Sequence, residues 1–327
     1  MVQEFKAFVT NGDGRGEVVT RTLEDLPAGD VTIKVHYSSV NYKDGMALNS
    51  DAKIVKEYPI VPGIDLAGEV VESTTAKFKA GDKVIVTSYD LGTGQDGGYS
   101  QYARVPSDWV VPLPEGLTTR EAMIIGTAGF TAALSIHKLE DHGLQRSDEP
   151  ILVTGASGGV GSMAVDMLSK NGYSVTASTG KSDEYDFLRK LGADDIVTRE
   201  EVTPEELPLI QSERWAAAVD PTGGKPLASI LSATKRGGGV AVSGLTAGVE
   251  VPTSVIPFIL RGVELMGIDS VQCPMDLREA IWTRAASDLK PEHLDDIAQE
   301  VSLDGLQGAL NDILNSKVKG RVILRLH

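Results

Sequence analysis

The sequence predicts an α/β protein of two domains, one rich in short β-strands and one built on a doubly wound parallel sheet. Three observations carry this prediction. Short apolar runs punctuated by Gly and Pro fill the first ~120 residues, the pattern of a barrel-like or mixed β domain. From Ile151 onward, apolar runs of strand length alternate with helical stretches, which implies parallel strands linked by crossover helices. The chain then closes on another apolar run, Gly320-Arg-Val-Ile-Leu-Arg325, and a lone strand after helices most simply rejoins the first domain's sheet. These features place the β-rich domain at 1–122 and 298–327 and the parallel-sheet domain at 123–297.

In the β-rich part the expected strands are Phe5–Thr10, Val31–Val40, Ala67–Val71, Lys83–Thr87, Ser100–Val105 and Trp109–Val111. Turn signals separate them, among them Pro27-Ala-Gly29, Pro62-Gly63, Gly81-Asp82 and Pro112-Leu-Pro114. The pattern becomes helical from Thr118 to Leu139. Strands follow at 151–154, 173–178, 194–198, 215–220, 238–243 and 263–268, with helices between them such as Tyr185–Leu191 and Pro226–Ala233. Two helical stretches after Asp276 precede the terminal strand.

Length and composition bound the function. A chain of 327 residues suits about two domains with a sizeable core. Its 41% hydrophobic and 24% charged residues are ordinary for a soluble globular protein. Acidic residues are spread along the chain and give a net charge of −15, which argues against nucleic acid as a partner, since that requires a basic face. No run of about 18 apolar residues is present, which argues against a membrane span. Met1-Val-Gln-Glu-Phe-Lys6 lacks the charged-then-apolar pattern of a secretory leader, so a cytoplasmic location is expected. Cys273 is the single cysteine, which excludes an intramolecular disulfide and a cysteine-based zinc site; it reads as an incidental packing thiol. The five histidines, His36, His137, His142, His293 and His327, are scattered and read as structural or solvated.

The stretch Ile151-Leu-Val-Thr-Gly155-Ala-Ser-Gly158-Gly159-Val-Gly161, followed by Met163–Leu168, has the order strand, tight turn, helix. Ala156, Gly158 and Gly161 hold the three small-residue positions of a dinucleotide-binding turn, with Ala in place of the first Gly. Small residues there allow a sharp turn, close approach of backbone to a pyrophosphate and tight helix–strand packing, while the helix N-terminus faces the phosphates. Ser157, Gly158, Gly159, Val160 and Gly161 are therefore the candidate pyrophosphate ligands. A turn that serves packing alone is the competing reading.

Ser174-Val-Thr-Ala-Ser178 reads as the second strand, about 20 residues on, where an NAD enzyme keeps an acid for the ribose hydroxyls. Here the strand runs into Ser178-Thr179-Gly180-Lys181-Ser182, with no acid before Asp183. Hydroxyls, a glycine and a cation suit a 2′-phosphate, so Thr179, Gly180 and Lys181 point to NADP(H), with Arg199 after the third strand as a second cation. The alternative is a solvated Lys181, with Asp183 or Glu184 serving the ribose of NAD.

Several blocks together carry a family resemblance. They are Val40-Asn-Tyr-Lys-Asp44, Pro62-Gly-Ile-Asp65-Leu-Ala-Gly68, Gly97-Gly-Tyr-Ser100, Gly126-Thr-Ala-Gly-Phe-Thr131, Gly155–Gly161 and Phe258–Ser270. The chain resembles the medium-chain dehydrogenases/reductases over nearly its whole length, and within them the zinc-free acryloyl-CoA reductase and quinone oxidoreductase branch (the YhdH/YhfP-like group). The resemblance implies a GroES-like β-rich catalytic domain and a Rossmann cofactor domain. Ile64 stands where the zinc alcohol dehydrogenases place a ligand His, and an isoleucine cannot ligate a metal. No zinc is expected, and without that Lewis acid, alcohol oxidation is disfavoured. Hydride addition to a carbon activated by a conjugated carbonyl or quinone remains.

By this resemblance the Asn41–Asp44 segment lines the cleft beneath the nicotinamide. Tyr42 is the expected donor to the substrate carbonyl or acid, with a packed cleft wall as the competing reading, and Asn41 orients the substrate or the nicotinamide. Asp44 also reads as a cap or turn residue, and Asp65 as a structural acid paired with a neighbour. Thr131, Ser243-Gly244-Leu245 and Ile268-Asp269-Ser270 are expected to line the nicotinamide half, at the carboxyl ends of strands where open α/β sheets bind ligands. Arg321 matches a family position near the cofactor. The family also implies a homodimer in which the sixth strand pairs with its two-fold mate; Val263–Ile268 is apolar enough to be an edge that needs covering.

The leading expectation is an NADPH-dependent reductase of acryloyl-CoA or a related enoyl thioester, with Lys43, Lys53 and Lys56 supplying cations to the coenzyme A phosphates. The enzyme alternative is a quinone or free enone reductase, which needs an apolar pocket. A third reading is a non-catalytic NADPH-binding protein, because fold does not fix function.

Overall fold

The computed structural model describes residues 4–327. The leader expectation, which rests on residues 1–6, therefore lies partly outside the described residues. The chain divides into two compact units, one of Met1–Thr127, Val271–Ala286 and Leu294–His327, the other of Ala128–Ser270 and Ser287–His293.

The first unit opens with strands β1 (Glu4–Thr10), β2 (Gly16–Thr22), β3 (Val31–Val40), β4 (Asp65–Ser73), β5 (Lys83–Thr87), β6 (Tyr102–Val105) and β7 (Val110–Pro112). In β3 the alternation Val31, Ile33, Val35 against Thr32, Lys34, His36 has period two, and those three apolar side chains are fully buried. The second unit carries β8 (Ile151–Val153), β9 (Val175–Ser178), β10 (Asp195–Val197), β11 (Trp215–Asp220), β12 (Thr234–Val242) and β13 (Glu264–Gly267). The chain then supplies β14 (Ala298–Val301) and β15 (Arg321–Arg325) to the first unit.

In the first unit, β1 and β2 form a hairpin, and a seven-stranded sheet runs β14-β15-β3-β4-β5-β7 with β6 also paired to β3. The terminal strand returns as expected: β15 pairs antiparallel with β3, Val322 opposite Val40. Phe5, Ile33, Leu66, Val84, Tyr99, Leu310 and Leu324 belong to the core of this unit.

The second unit is a six-stranded sheet in the order β10-β9-β8-β11-β12-β13, with every pair parallel. Counted within the unit that is 3-2-1-4-5-6, the doubly wound order whose switch point lies between β8 and β11. Ile151, Leu152 and Val153 are all buried, as a central parallel strand with covered faces requires.

Some features differ from expectation. Val271–Ala286 groups with the first unit rather than the parallel-sheet domain, because buried Arg278 on the helix Met275–Ala285 donates to the Thr87 carbonyl and hydroxyl and lies 4.4 Å over the Tyr89 ring. The helix Thr119–Asp141 contains a window of mean hydropathy 1.3, apolar and long enough to cross a membrane, and 83% of that window is buried in the protein. It is also broken at Gly126, where φ is +51°.

Candidate active site

In the first unit the site is built on the end of β3. Asn41 is the N-cap of the short helix Tyr42–Met46, with extended backbone, and its N–H donates to Asp44 Oδ2 at 2.8 Å. The other Asp44 oxygen accepts from the Ile64 N–H at 2.9 Å, so Asp44 ties the helix start to the segment ahead of β4. This confirms a cap role. Burial, and then the charge of Asp65, push the Asp44 carboxyl up to about 6, against the two backbone donors. Gly45 lets the helix lie close to Leu306–Leu314, since a Cβ there would fall 2.8 Å from Leu314 Cγ. Tyr42, the first helical residue, is 45% exposed.

Behind this helix lies a buried cluster centred on Asp65, which is fully buried. Its carboxylate accepts from the Ser39 hydroxyl at 2.5 Å, Asn41 Nδ2 at 2.8 Å, the Thr127 N–H at 2.9 Å and the Thr127 hydroxyl at 2.5 Å. Arg321 Nη2 stands 4.0 Å away. Arg321 Nη1 donates to Asn41 Oδ1 at 3.1 Å and to the Val40 carbonyl, and Nε donates to the Ile124 carbonyl. The break at Gly126 has its cause here: a Cβ would come within 2.8 Å of Arg321 Nη2, Asp65 Oδ2 and the Ser39 hydroxyl. Tyr99, also buried, donates to the Ser39 carbonyl, and burial pushes its phenol well above the usual range.

Two expectations change at this cluster. Asn41 was expected to orient substrate or nicotinamide, but both ends of its amide are held by protein groups, so it fixes the helix that carries Tyr42. Arg321 was expected beside the cofactor, but its guanidinium is 2% exposed and braces Asn41 and Asp65. The side chains do not fit a metal either. Ile64 is buried and has no donor atom, Asp65 is saturated, and no three His, Cys, Asp or Glu side chains converge as ligands among the described residues.

The three lysines are not brought together by any contact. Lys43 lies half-buried on the short helix, Lys53 is exposed at a left-handed position (φ +54°), and Lys56 Nζ pairs with Asp90 at 2.7 Å.

In the second unit the glycine turn has the geometry a dinucleotide requires. Gly155 takes φ +51°, Gly158 caps the helix Gly159–Lys170, and the Ser162 N–H donates back to the Gly158 carbonyl. A Cβ on Gly161 would sit 2.3 Å from the Gly155 carbonyl oxygen, so helix and turn touch only because that residue is glycine. Gly158, by contrast, is open, with nothing nearer than 3.3 Å to a would-be Cβ. Ser157 Oγ lies 3.3 Å from Thr179 Oγ1, linking the turn to the end of β9. Thr179 is buried and accepts from the Lys181 N–H. A Cβ on Gly180 would lie 2.7 Å from Arg199 Nε, so Arg199 covers that glycine, and no hydrogen bond or ion pair engages its guanidinium among the described residues. Lys181 Nζ pairs with Glu184 Oε1 at 3.1 Å.

Toward the switch point, Asp220 at the end of β11 was not anticipated. It is fully buried and accepts from the hydroxyls of Thr154 and Thr222 and from the Thr222 and Gly223 N–H groups. The turn signal Asp220-Pro-Thr-Gly-Gly224 was its only trace in the sequence. Next along, the Ser243 N–H donates to the Asp220 carbonyl, and the Ser243 hydroxyl is buried without a partner. Leu245 is 62% exposed, Ile268 is buried with its N–H on the Val242 carbonyl, and Ser270 and Thr131 are half-buried and buried respectively. Ser157 to Gly161, Thr179 to Lys181, Arg199, Ser243 and Ile268 thus collect at the carboxyl ends of the parallel strands. An open glycine cradle and an orphaned buried hydroxyl fit a dinucleotide.

Residues 27–115 match the alcohol dehydrogenase GroES-like domain, and residues 159–286 match the zinc-binding dehydrogenase domain. The "Putative quinone oxidoreductase YhfP" of Bacillus subtilis is 54% identical over 327 residues, covering 100% of this chain and 99% of its own. Its crystal structure with NAD bound superimposes with a TM-score of 0.97, covering 99% and 100% of the two chains. The chain belongs to the medium-chain dehydrogenases/reductases. In this dehydrogenase/reductase the similarity extends to the acrylyl-CoA reductase AcuI of Ruegeria pomeroyi, 48% identical over 325 residues and 98% of each chain. The YhdH oxidoreductase of Salmonella enterica, in complex with NADP, has a TM-score of 0.94 at 42% identity, covering 99% and 100%. As a member of this family the protein is an oxidoreductase of GroES-like and Rossmann domains.

Proposed function

We propose that the protein is a zinc-independent reductase that uses NADPH to reduce the C=C bond of an α,β-unsaturated carbonyl, with acryloyl-CoA or a related enoyl thioester as substrate. The observation that carries this reading is Tyr42, 45% exposed and set on a helix start that Asp44, Asn41, Asp65 and Arg321 hold rigidly. The near-full-length similarity to an acrylyl-CoA reductase supports it.

Ser157, Gly158, Gly159, Val160 and Gly161 hold the pyrophosphate; Thr179, Gly180, Lys181 and Arg199 receive the 2′-phosphate; Thr131, Ser243, Leu245, Ile268 and Ser270 attend the nicotinamide half. Bound NADPH supplies the hydride. Tyr42 donates to the substrate carbonyl oxygen as negative charge builds on it, a contribution worth about 100- to 1,000-fold in rate. Asn41 and Arg321 serve as positioning residues behind it.

A quinone substrate is the second reading. It is favoured by the Lys56–Asp90 pair, which neutralises one of the cations meant for coenzyme A, and by the similarity to the Bacillus quinone oxidoreductase relative. Steady-state NADPH oxidation with acryloyl-CoA, a simple enone and benzoquinone separates the two. Lys53→Ala with Lys56→Ala, leaving KM for the thioester unchanged, removes the lysine clamp.

A homodimer through the edge strand β13 and a cytoplasmic location complete the proposal. Leu265 on that strand and Ile259 and Leu260 just before it are exposed, an apolar edge that a second copy would cover.

A further inference from the structure

We propose that Asp44 is a positioning residue whose charged carboxylate holds the helix start beneath Tyr42 in its working orientation, so that reduction switches off in acid through a group that never touches substrate. The inference rests on the reading of Tyr42 as donor to the substrate carbonyl, and it assigns the pH dependence of that donor to a buried neighbour.

Asp44 is buried, and both of its oxygens accept from backbone N–H groups, Oδ2 from Asn41 at 2.8 Å and Oδ1 from Ile64 at 2.9 Å. Two N–H donors on one carboxyl call for the charged form, because a protonated carboxyl keeps full acceptor strength on one oxygen alone. A proton on Asp44 therefore loosens either the cap at Asn41 or the tie to Ile64, and Tyr42 is the residue directly after that cap. The surroundings make such a proton acceptable. Asp65 on β4 has the Arg321 guanidinium of β15 4.0 Å away, while no cation pairs with Asp44 among the described residues. Tyr99 presents its phenol to Asp44, and Lys43 on the same short helix is half-buried. The helix packed against Gly45 carries one charge, Asp312, which is exposed. Asp44 is thus the carboxylate of this cluster that stands without a compensating charge. Burial, and then the charge of Asp65, push it up to about 6 against its donors.

The cluster thereby sets stability against activity. The folded state favours protonated Asp44, yet the helix start needs the charge, so the working form is the one the fold holds less readily. Asp44→Asn imitates the protonated carboxyl at every pH: one oxygen still accepts, and the amide nitrogen, itself a donor, faces the other backbone N–H.

The pH profile of kcat between about pH 5 and 8 tests this on the full chain, at saturating NADPH and substrate so that titration of the ligand phosphates does not enter. Acryloyl-CoA, a simple enone and benzoquinone are each tried, and the profile is taken with those that turn over. Wild type is expected to lose about tenfold in kcat for each pH unit below about 6. Asp44→Asn is expected to be at least about tenfold slower than wild type at pH 7.5 and flat across the range. A variant as fast as wild type at pH 7.5, or one that keeps the wild-type acid limb, overturns the proposal. Tyr99→Phe guards against a folding defect in the first variant. The hydroxyl it removes is one of the donors that favour charged Asp44, so the acid limb is expected to move to higher pH, and an unmoved limb overturns the role. No turnover of any of the three substrates removes the reductase reading and this proposal together, whereas turnover with a flat wild-type profile removes the proposal alone.

Discussion

Asn41 Nδ2 donates to Asp65 Oδ2 at 2.8 Å, in a pocket where Asp65 is fully buried. With Asn41 Oδ1 held by Arg321, the amide has no freedom left, and the helix start beneath Tyr42 inherits that rigidity. Asp65→Ala leaves Arg321 buried without its carboxylate and is expected to cost about 3–5 kcal/mol of stability, measured by urea denaturation. Asp65→Ala combined with Arg321→Met is expected to cost less than the two single losses added, because the partners form one network.

Tyr42→Phe separates chemistry from architecture. The residue is 45% exposed and its hydroxyl makes no bond that holds the fold, so stability is expected to stay within about 0.5 kcal/mol. The rate constant kcat for enone reduction is expected to fall about 100-fold or more. An unchanged kcat assigns Tyr42 to the wall of the site rather than to the reaction.

Asp44 predicts a pH effect of definite sign. Its folded carboxyl sits at about 6, above the ordinary 3.8, so the folded state favours the protonated form. The stability this group contributes is full below pH 3.8 and is lost as pH rises through 6. Between pH 4.5 and 7.5 the advantage of wild type over Asp44→Asn is expected to shrink by about 2 kcal/mol, read from urea denaturation at the two pH values. A constant difference across that range contradicts the assignment.

Gly161→Ala tests the turn. The new methyl would meet the Gly155 carbonyl at 2.3 Å, so turn and helix must separate. The expected cost is about 1–3 kcal/mol in stability, with a marked loss of NADPH affinity by fluorescence titration. The same change at the open Gly158 is expected to cost less stability while still crowding the phosphates.

Most strands and the long helices were legible in the sequence because their signals are local. The alternation of Val31, Ile33 and Val35, the apolar run 151–153 and the glycine spacing each state their element directly. What escaped was short, polar or long-range. β2 and β14 bury few side chains and lack an apolar stripe, and Tyr42–Met46 is a five-residue helix containing Gly45. No pattern links Arg321 to Asn41 across 280 positions, nor Asp220 to Thr154, since only folding brings those charges to their hydrogen-bond partners. Lys56 looked like a free cation because Asp90, its partner, lies 34 residues away. Glu184, weighed only as an alternative to Lys181, proves to be its ion-pair partner.

The most direct measurement follows the label from NADPH deuterated at C4 into the product of acryloyl-CoA reduction. The account predicts a single deuterium at the β-carbon of propionyl-CoA, with the second new hydrogen drawn from solvent at the α-carbon. Deuterium at the α-carbon, or turnover of benzoquinone with none of the thioester, contradicts it.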